Sequence, residues 1–108
     1  MDIGVKDKVA IVTGGSEGIG KAAAERLSAE GAKVALVSRT QADLDRVAAE
    51  ISGATGNEVI GVATDVRDES ACEAMVNTVV AAWGRVDILV NNAGTSSAAR
   101  FEDMTNDQ

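Results

Sequence analysis

The stretch TGGSEGIG occupies residues 13–20 of this 108-residue chain. It follows the apolar run VAIV at residues 9–12 and opens a segment whose apolar residues recur at helical spacing. A strand that turns into a helix through glycines points backbone N–H groups outward at the positive end of the helix dipole, where a pyrophosphate can bind. We therefore predict a nucleotide-binding loop, although a glycine-rich connection without a ligand would show the same pattern.

Three glycines of this loop have separate expected tasks. Gly14 is expected to make the tight turn after the strand, and Gly18 to let phosphates approach the backbone. Gly20 is expected to let the helix pack close to the strand. The spacing differs from the general G-x-G-x-x-G fingerprint, so the interpretation needs support from the rest of the chain.

The rest of the chain alternates apolar runs with helical patterns. The runs at residues 9–12, 34–37, 59–63 and 88–90 are continuous, which is typical of parallel strands covered on both faces. The segments between them repeat apolar residues at i, i+3 and i+4, as amphipathic helices do. The order β-α-β-α-β-α-β predicts an α/β fold with a partial, doubly wound parallel sheet of about four strands and three helices.

Local signals mark the expected helix ends. Thr40 precedes Asp43 by three residues, which is a weak capping-box pattern. Gly31, Gly53 and Gly84 each stand where a left-handed C-terminal cap is expected. The last residues, MTNDQ, carry another helix start signal, so we expect the chain to be the first half of a larger fold.

The composition narrows the classes of partner. The net charge is −7, from 17 Asp and Glu against 10 Lys and Arg, so neither nucleic acid nor an anionic membrane is expected to bind. The apolar runs are too short to span a bilayer and the chain does not open with a basic leader, so we expect a cytoplasmic protein. One cysteine and no histidine argue against a disulfide or a zinc site, and Cys72 on an apolar helix stripe is expected to be a packed thiol.

The end of the second apolar run bears on the choice of dinucleotide. An acid there would accept hydrogen bonds from the ribose hydroxyls of NAD, whereas a 2′-phosphate is repelled by an acid and pairs with arginine. This chain has Ser38-Arg39 and no acid until Asp43, which favours NADP over NAD. Glu17 in the loop opposes that preference, and a solvated arginine at a helix entrance is the alternative for Arg39.

Three motifs follow the first, third and fourth apolar runs. They are Thr13-Gly14-x-x-x-Gly18-x-Gly20, Asp65-Val66 and Asn91-Asn92-Ala93-Gly94. Together they resemble the motifs of the short-chain dehydrogenase/reductase family in its classical, NAD(P)-dependent form, and the resemblance covers the whole chain. It accounts for the glycine spacing, and it implies a Rossmann fold with strand order 3-2-1-4. Residues 1–108 would be its NAD(P)-binding domain, truncated before the catalytic half.

The resemblance also implies which residues bind the cofactor. Gly14, Gly18 and Gly20 would line the pyrophosphate, with Ser16 and Ile19 adding contacts. The full implied set is Gly14, Ser16, Gly18, Ile19, Gly20, Ser38, Arg39, Asp65, Val66, Asn91, Ala93 and Gly94.

The resemblance also implies roles for the residues of this set that follow the glycine loop. Ser38 stands where NAD-preferring members tend to have Asp, and Arg39 where NADP-preferring members often have a basic residue. Asp65 and Val66 would border the adenine, with turn or cap hydrogen bonding as the alternative for Asp65. In the last motif, Asn91 would tie neighbouring strands together, while the alanine and glycine that end it pass beneath the cofactor ribose.

The family's catalytic residues have no counterpart in this chain. Its members use a tyrosine in a Tyr-x-x-x-Lys motif, assisted by a serine and often an asparagine, to move a proton as hydride passes to or from the nicotinamide. The chain has no tyrosine and its last lysine is Lys33, so we expect it to be inactive alone. Ser96, Ser97 and Asn106 lie at positions that do not match the catalytic ones and are not assigned that role.

The resemblance therefore implies the cofactor-binding part of an NADP(H)-dependent oxidoreductase whose complete form acts on an alcohol or carbonyl substrate. It leaves homo-oligomerisation open, because members of the family are often tetrameric. A second hypothesis is a non-catalytic nucleotide-binding or dimerising module that pairs through the unpartnered edge of the run at residues 88–90.

Overall fold

The strands and helices of the computed structural model follow the predicted alternation over residues 4–92, the part of the chain that the structure describes. The strands are β1 (Val9–Thr13), β2 (Lys33–Ser38), β3 (Val59–Ala63) and β4 (Ile88–Val90). The helices are α1 (Gly18–Ala29), α2 (Gln41–Thr55) and α3 (Glu69–Trp83). The strands pair in parallel in the order β3-β2-β1-β4, which confirms the predicted partial doubly wound sheet.

Two apolar clusters lie on opposite faces of the sheet. Successive side chains of a strand point to opposite faces, so each strand supplies both clusters. Ala10 and Val12 of β1 pack in the cluster that holds the apolar stripes of α1 and α2. Val9 and Ile11 pack in the cluster that holds the stripe of α3. Helices therefore cover both faces, as the continuous apolar runs of the central strands require.

The central strands are more deeply buried than the outer ones. All residues of β1 are buried, and so are the four middle residues of β2. By contrast, β3 and β4 are half-buried, and Ala63 at the end of β3 is exposed. Side chains of β3 and β4 pack against both clusters, so all four runs are covered on both faces, although β3 and β4 are covered only in part. Each of these strands has one strand neighbour within residues 4–92, so less of its surface is covered.

Two of the three predicted glycine caps are confirmed. Gly31 follows α1 with φ of 96°, and Gly84 follows α3 with φ of 80°. The prediction for Gly53 is wrong, because this residue lies inside α2. The helix continues to Thr55, and Gly56 adopts the left-handed conformation with φ of 76°.

Tertiary contacts hold the last turn of α2 and explain why the helix continues past Gly53. The hydroxyl of Thr55 lies 2.7 Å from that of Ser28 in α1. Nδ2 of Asn57 donates to the Ser28 carbonyl at 2.7 Å, and the Asn57 N–H donates to Oγ1 of Thr55 at 3.2 Å. These part-buried bonds join the C-terminal ends of α1 and α2, and they stabilise the extended helix.

The helix starts behave differently at α2 and α3. Thr40 precedes α2, as predicted, but its side chain makes no capping hydrogen bond within the described residues, so the capping box is absent. Asp43 instead lies 3.7 Å from Arg46. At α3, the carboxylate of Asp68 accepts hydrogen bonds from the backbone N–H groups of the first turn. The hydrogen bond from Ser70 and those backbone donors lower the pKa of Asp68.

Helix α3 carries Cys72, which the sequence predicts to be a packed thiol. Cys72 is buried, and its Sγ donates to the Val66 carbonyl at 3.4 Å, which confirms the packed thiol. Trp83 is partly buried against the same cluster. Over the residues that the structure describes, each helix is too short or too polar to traverse a bilayer.

Candidate functional site

The glycine loop, residues 13–20, turns through two glycines with positive φ. Gly14 has φ of 66° and Gly18 has φ of 60°, a backbone conformation that side chains disfavour. The N–H of Gly14 donates to the Val37 carbonyl at 2.7 Å, which fixes the turn against β2. A Cβ placed on Gly18 would meet nothing within 4 Å, so the backbone lies open there.

Close packing explains two other glycines of the loop. A Cβ on Gly20 would collide with the carbonyl oxygen of Gly14, so the first turn of α1 rests directly on the loop. A Cβ on Gly15 would lie 2.9 Å from Cδ2 of Leu36 in β2. The predicted task of Gly20 agrees with this geometry. The contact of Gly15 has no counterpart in the sequence analysis, because it depends on which neighbouring side chain faces the loop.

The N-terminus of α1 presents backbone donors and one apolar side chain. Glu17 precedes the helix in an extended conformation, and no side chain of the described residues caps this end. The first turn of α1 contains no acid. Ile19 in that turn is 77% exposed. Unpaired N–H groups at a positive helix end attract an anion, and an exposed isoleucine offers apolar contact beside it.

The ends of β1 and β4 are joined through the buried hydroxyl of Thr13. This oxygen accepts a hydrogen bond from the Asn92 N–H at 2.8 Å and donates to Oδ1 of Asn91 at 3.1 Å. A Cβ on Gly14 would lie 3.4 Å from Asn92, so the loop and the end of β4 are neighbours. The link between strands that the resemblance implied for Asn91 is present in the structure.

A cleft of about 250 Å³ opens between the loops that follow β2 and β3. The N–H of Thr64 donates to the Ser38 carbonyl at 2.7 Å, so the two loops leave the sheet side by side. The residues that line the cleft are Gly14, Val37, Ser38, Arg39, Thr64, Asp65, Val66 and Arg67. Ligands of open α/β sheets bind at the carboxyl ends of the strands, which is where this cleft lies.

Asp65 is held by Arg67 in a bidentate contact. Nε and Nη2 of Arg67 lie 3.0 Å and 3.1 Å from the two carboxylate oxygens, and the Arg67 N–H donates to Oδ1 at 3.0 Å. The side-chain hydrogen bond from Arg67 is the largest cause that lowers the pKa of Asp65, from 3.8 to about 2. Asp65 therefore makes the turn contact that was the alternative to adenine binding. Asp65 also lines the cleft, so the two roles are compatible.

Arg39 stands on the other side of the cleft without such a partner. Its side chain is exposed and has neither an ion pair nor a hydrogen bond within residues 4–92. Its positive charge contributes to the lowered pKa of Asp65, which places the two groups within electrostatic reach. An unpaired guanidinium in a cleft is available to bind an oxyanion.

Most of the predicted site residues meet at this end of the sheet. Ser38, Arg39, Asp65 and Val66 line the cleft, and Gly14 joins it to the glycine loop. The remaining loop members surround the start of α1, namely Ser16, Gly18, Ile19 and Gly20. Five residues named in the sequence analysis lie outside the described residues, namely Ala93, Gly94, Ser96, Ser97 and Asn106.

Arg67 lines the cleft but was not among the predicted site residues. An aspartate followed two residues later by arginine before a helix start was the available signal, since Asp side chains commonly accept from the backbone two residues on. Within the described residues, no group of three or more His, Cys, Asp or Glu side chains is arranged to hold a metal ion.

The residues present fit a dinucleotide. The open backbone of Gly18 and the uncapped start of α1 suit a pyrophosphate, and the cleft adds an acid, an apolar residue and an unpaired guanidinium for an adenosine. The two parts are continuous through Gly14.

Comparison with known proteins gives related sequences. The family model described as short chain dehydrogenase matches residues 8–108. An uncharacterized oxidoreductase of Staphylococcus epidermidis is 39% identical over 104 residues, which are 96% of this chain and 44% of the relative. The chain thus spans less than half the length of this relative.

Solved structures resemble this one closely. L-sorbose reductase from Gluconobacter frateurii, complexed with NADPH and L-sorbose, has a TM-score of 0.92 and 34% identity, over 99% of this chain and 49% of that one. An NAD⁺-bound xylitol dehydrogenase has a TM-score of 0.90 and 27% identity, over 97% of this chain and 49% of that one.

Proposed function

The chain belongs to the short chain dehydrogenase family, and on that premise we propose that it is the cofactor-binding part of an NADP(H)-dependent oxidoreductase. The complete protein would transfer hydride between the nicotinamide and an alcohol or carbonyl group. One of its structural neighbours was solved with NADPH and another with NAD⁺, so the phosphate preference must be argued from this chain's own residues.

The observation that carries the proposal is the unpaired Arg39 in a cleft that Gly14 of the glycine loop also lines. A 2′-phosphate adds negative charge to the adenosine end of the cofactor, and an arginine recognises it through charge-assisted hydrogen bonds. Ser38 occupies the position where a carboxylate would repel that phosphate and favour NAD. Glu17 is exposed near the same end of the molecule and limits the preference.

Each predicted residue has a proposed part in binding. The N–H groups around Gly18 and Gly20 would hold the pyrophosphate, with Ser16 and Ile19 beside it. Asp65 and Val66 would border the adenine, and the carboxylate of Asp65 would accept a hydrogen bond from its amino group. We propose that Ala93 and Gly94 pass beneath the ribose, as the family resemblance implies.

The chain's own residues bind and orient the cofactor, which supplies the hydride when bound. The family's proton donor is a tyrosine, and this chain contains none. We therefore propose that the 108-residue chain binds NADP(H) but does not turn over an alcohol or ketone. We also propose a cytoplasmic protein without a nucleic-acid partner, since its net charge of −7 disfavours polyanions. Homo-oligomerisation is part of the proposal only for the complete protein.

The proposal is tested by titrating the purified chain with NADPH and with NADH, following the nicotinamide fluorescence. We expect saturable binding of both, with NADPH bound more tightly, and no oxidation of either by a panel of ketones. Absence of NADPH binding, or tighter binding of NADH, contradicts the cofactor assignment. Turnover by the isolated chain contradicts the assignment of catalysis to residues outside it.

A second candidate function is a dimerising module that pairs through β4. The observation that favours it is that β4 is half-buried and pairs with β1 alone among the described strands. A strand with one open flank can add a strand from a partner. Sedimentation of the chain over a range of concentrations distinguishes the candidates, since a monomer at the highest concentration removes this one.

A further inference from the structure

Two arginines share the cleft with one carboxylate, and only one of them binds it. Arg67 contacts both oxygens of Asp65 through Nε and Nη2, and adds its backbone N–H to one of them. Arg39 lines the same cleft and makes no ion pair within the described part of the chain. The three contacts come from a residue only two positions away, so the pair forms without bringing distant segments together.

Asp65 is the carboxylate available to Arg39 if Arg67 is removed. Among the described residues that line the cleft, it is the single acid. Asp43, the next acid after Arg39 along the chain, lies 3.7 Å from Arg46 and is engaged there. Arg39 and Asp65 follow neighbouring parallel strands, and the charge of Arg39 already acts on the carboxyl group. A long arginine side chain can therefore turn to this acid once its local partner is gone.

We propose that Arg67 is a specificity-determining residue, which occupies the carboxylate of Asp65 and so keeps Arg39 free to bind the 2′-phosphate of NADP(H). The inference rests on the proposed function. Without Arg67, an Arg39–Asp65 ion pair has to break before a 2′-phosphate can bind, and the uncovered carboxylate repels that phosphate. A ligand without the 2′-phosphate does not need to break this ion pair, so its affinity should not depend on Arg67 in this way.

The experiment uses adenosine 2′,5′-bisphosphate and 5′-AMP, which differ by the 2′-phosphate and carry no nicotinamide. Calorimetric titration of the chain gives the ratio of their affinities for four proteins: wild type, Arg67→Ala, Asp65→Asn and the double variant. We expect Arg67→Ala to lower the preference for the bisphosphate by about tenfold, the effect of roughly one charge-assisted bond. In the Asp65→Asn background, Arg67→Ala should leave the ratio unchanged, because no carboxylate remains to capture Arg39.

The four proteins separate this role from its alternatives. If Arg67→Ala also lowers the preference for the bisphosphate in the Asp65→Asn background, the proposal is overturned, because Arg67 then binds the phosphate itself. An unchanged ratio in Arg67→Ala overturns it as well. Failure of the wild type to bind either ligand rejects the proposed function, and with it this inference. If the wild type prefers the bisphosphate and Arg67→Ala does not change this preference, the role of Arg67 is rejected and the proposed function stands.

Folding of the variants has its own control. The side chain of Arg67 is 65% exposed, so its removal should leave the cooperative thermal unfolding transition in place. If Arg67→Ala does not fold, Arg67→Gln retains the backbone N–H bond and much of the side chain while removing the charge. The same loss of preference is expected for Arg67→Gln, and an unchanged ratio in that variant overturns the proposal.

Discussion

The glycine loop and the cleft next to it offer a ligand different kinds of binding group. The loop acts through backbone, since its glycines leave room for close packing and for exposed N–H groups. The cleft acts through charged side chains, with Arg67 holding Asp65 and Arg39 left unpaired. The loop is therefore suited to any pyrophosphate, whereas the cleft has the groups that can distinguish one dinucleotide from another.

This difference predicts how each region tolerates substitution. A site built from backbone loses its ligand when a side chain fills the space that the ligand or a packed segment needs. One added methyl group is therefore enough to abolish binding. A side-chain site loses the interaction of the group removed, while the remaining contacts persist. Substitutions of the loop glycines should weaken binding of all dinucleotides alike, and substitutions in the cleft should change the preference among them.

The largest effect is expected for Gly20→Ala. Its Cβ would collide with the carbonyl oxygen of Gly14, so the start of α1 must move away from the loop. We expect loss of both NADPH and NADH binding, and a decrease of roughly 1–3 kcal/mol in the free energy of unfolding, typical of overpacking. Fluorescence titration and urea unfolding measure the two quantities.

Gly53→Ala is the matched control for this substitution. Gly53 lies inside α2, and a Cβ there would meet nothing within 4 Å. We expect unchanged binding and a gain of about 0.5–1 kcal/mol in stability, because alanine is the better helix former. Normal cofactor binding by Gly20→Ala would contradict the backbone account of the loop.

A smaller and selective effect is expected for Arg39→Ala. Removal of the unpaired guanidinium should weaken NADPH by about ten- to a hundredfold, as for loss of a hydrogen bond to a charged group, and leave NADH nearly unchanged. Arg46→Ala removes an exposed arginine that pairs with acids on α2, and should change neither affinity. Equal weakening of both cofactors by Arg39→Ala would show that the cleft does not select between them.

Glu17→Gln should strengthen NADPH binding, and by less than Arg39→Ala weakens it. Glu17 is exposed at the start of α1, where its charge opposes that of the cofactor phosphates. Removal of the charge should strengthen NADPH binding about two- to fivefold at low salt, and the gain should shrink as salt is added. Glu25→Gln, an exposed acid farther along α1, serves as the control for net charge.

The smallest effect concerns the titration of Asp65. Its pKa is lowered from 3.8 to about 2 by the hydrogen bonds from Arg67. Because the pKa of the folded state is the lower one, the stabilisation by this pair is present above pH 3.8 and is lost as the pH falls towards 2. NMR titration of the Asp65 carboxyl carbon should show this low midpoint, and Arg67→Ala should raise it. Asp68, which is held by its own contacts with Ser70, is the internal reference.

The sequence was sufficient for those features that depend on local periodicity. Continuous apolar runs predicted the four strands, while the family resemblance implied their order in the sheet. The spacing of glycines predicted the turn at Gly14 and the contact at Gly20. The depth of burial of β3 and β4 was not predictable from their composition. It depends on how many strands flank them, and an edge strand can be as apolar as a central one.

Features that depend on side chains from distant segments were missed. The end of α2 is set by Ser28 and Asn57, which reach Thr55 from outside the helix, so the glycine at 53 was mistaken for the cap. Arg67 was missed because its role follows from which of two arginines contacts Asp65. Such choices are made by tertiary geometry, which local patterns do not record.

We propose that this chain holds a 2′-phosphorylated dinucleotide from the start of α1 to Arg39. This proposal is tested most directly by amide NMR spectra of the ¹⁵N-labelled chain during titration with NADP⁺ and with NAD⁺. We expect both ligands to shift the amide signals of Gly14, Gly18 and Gly20, and NADP⁺ alone to shift the side-chain Nε–H signal of Arg39 strongly. Shifts confined to β4, or an Arg39 signal that responds equally to both ligands, would contradict it.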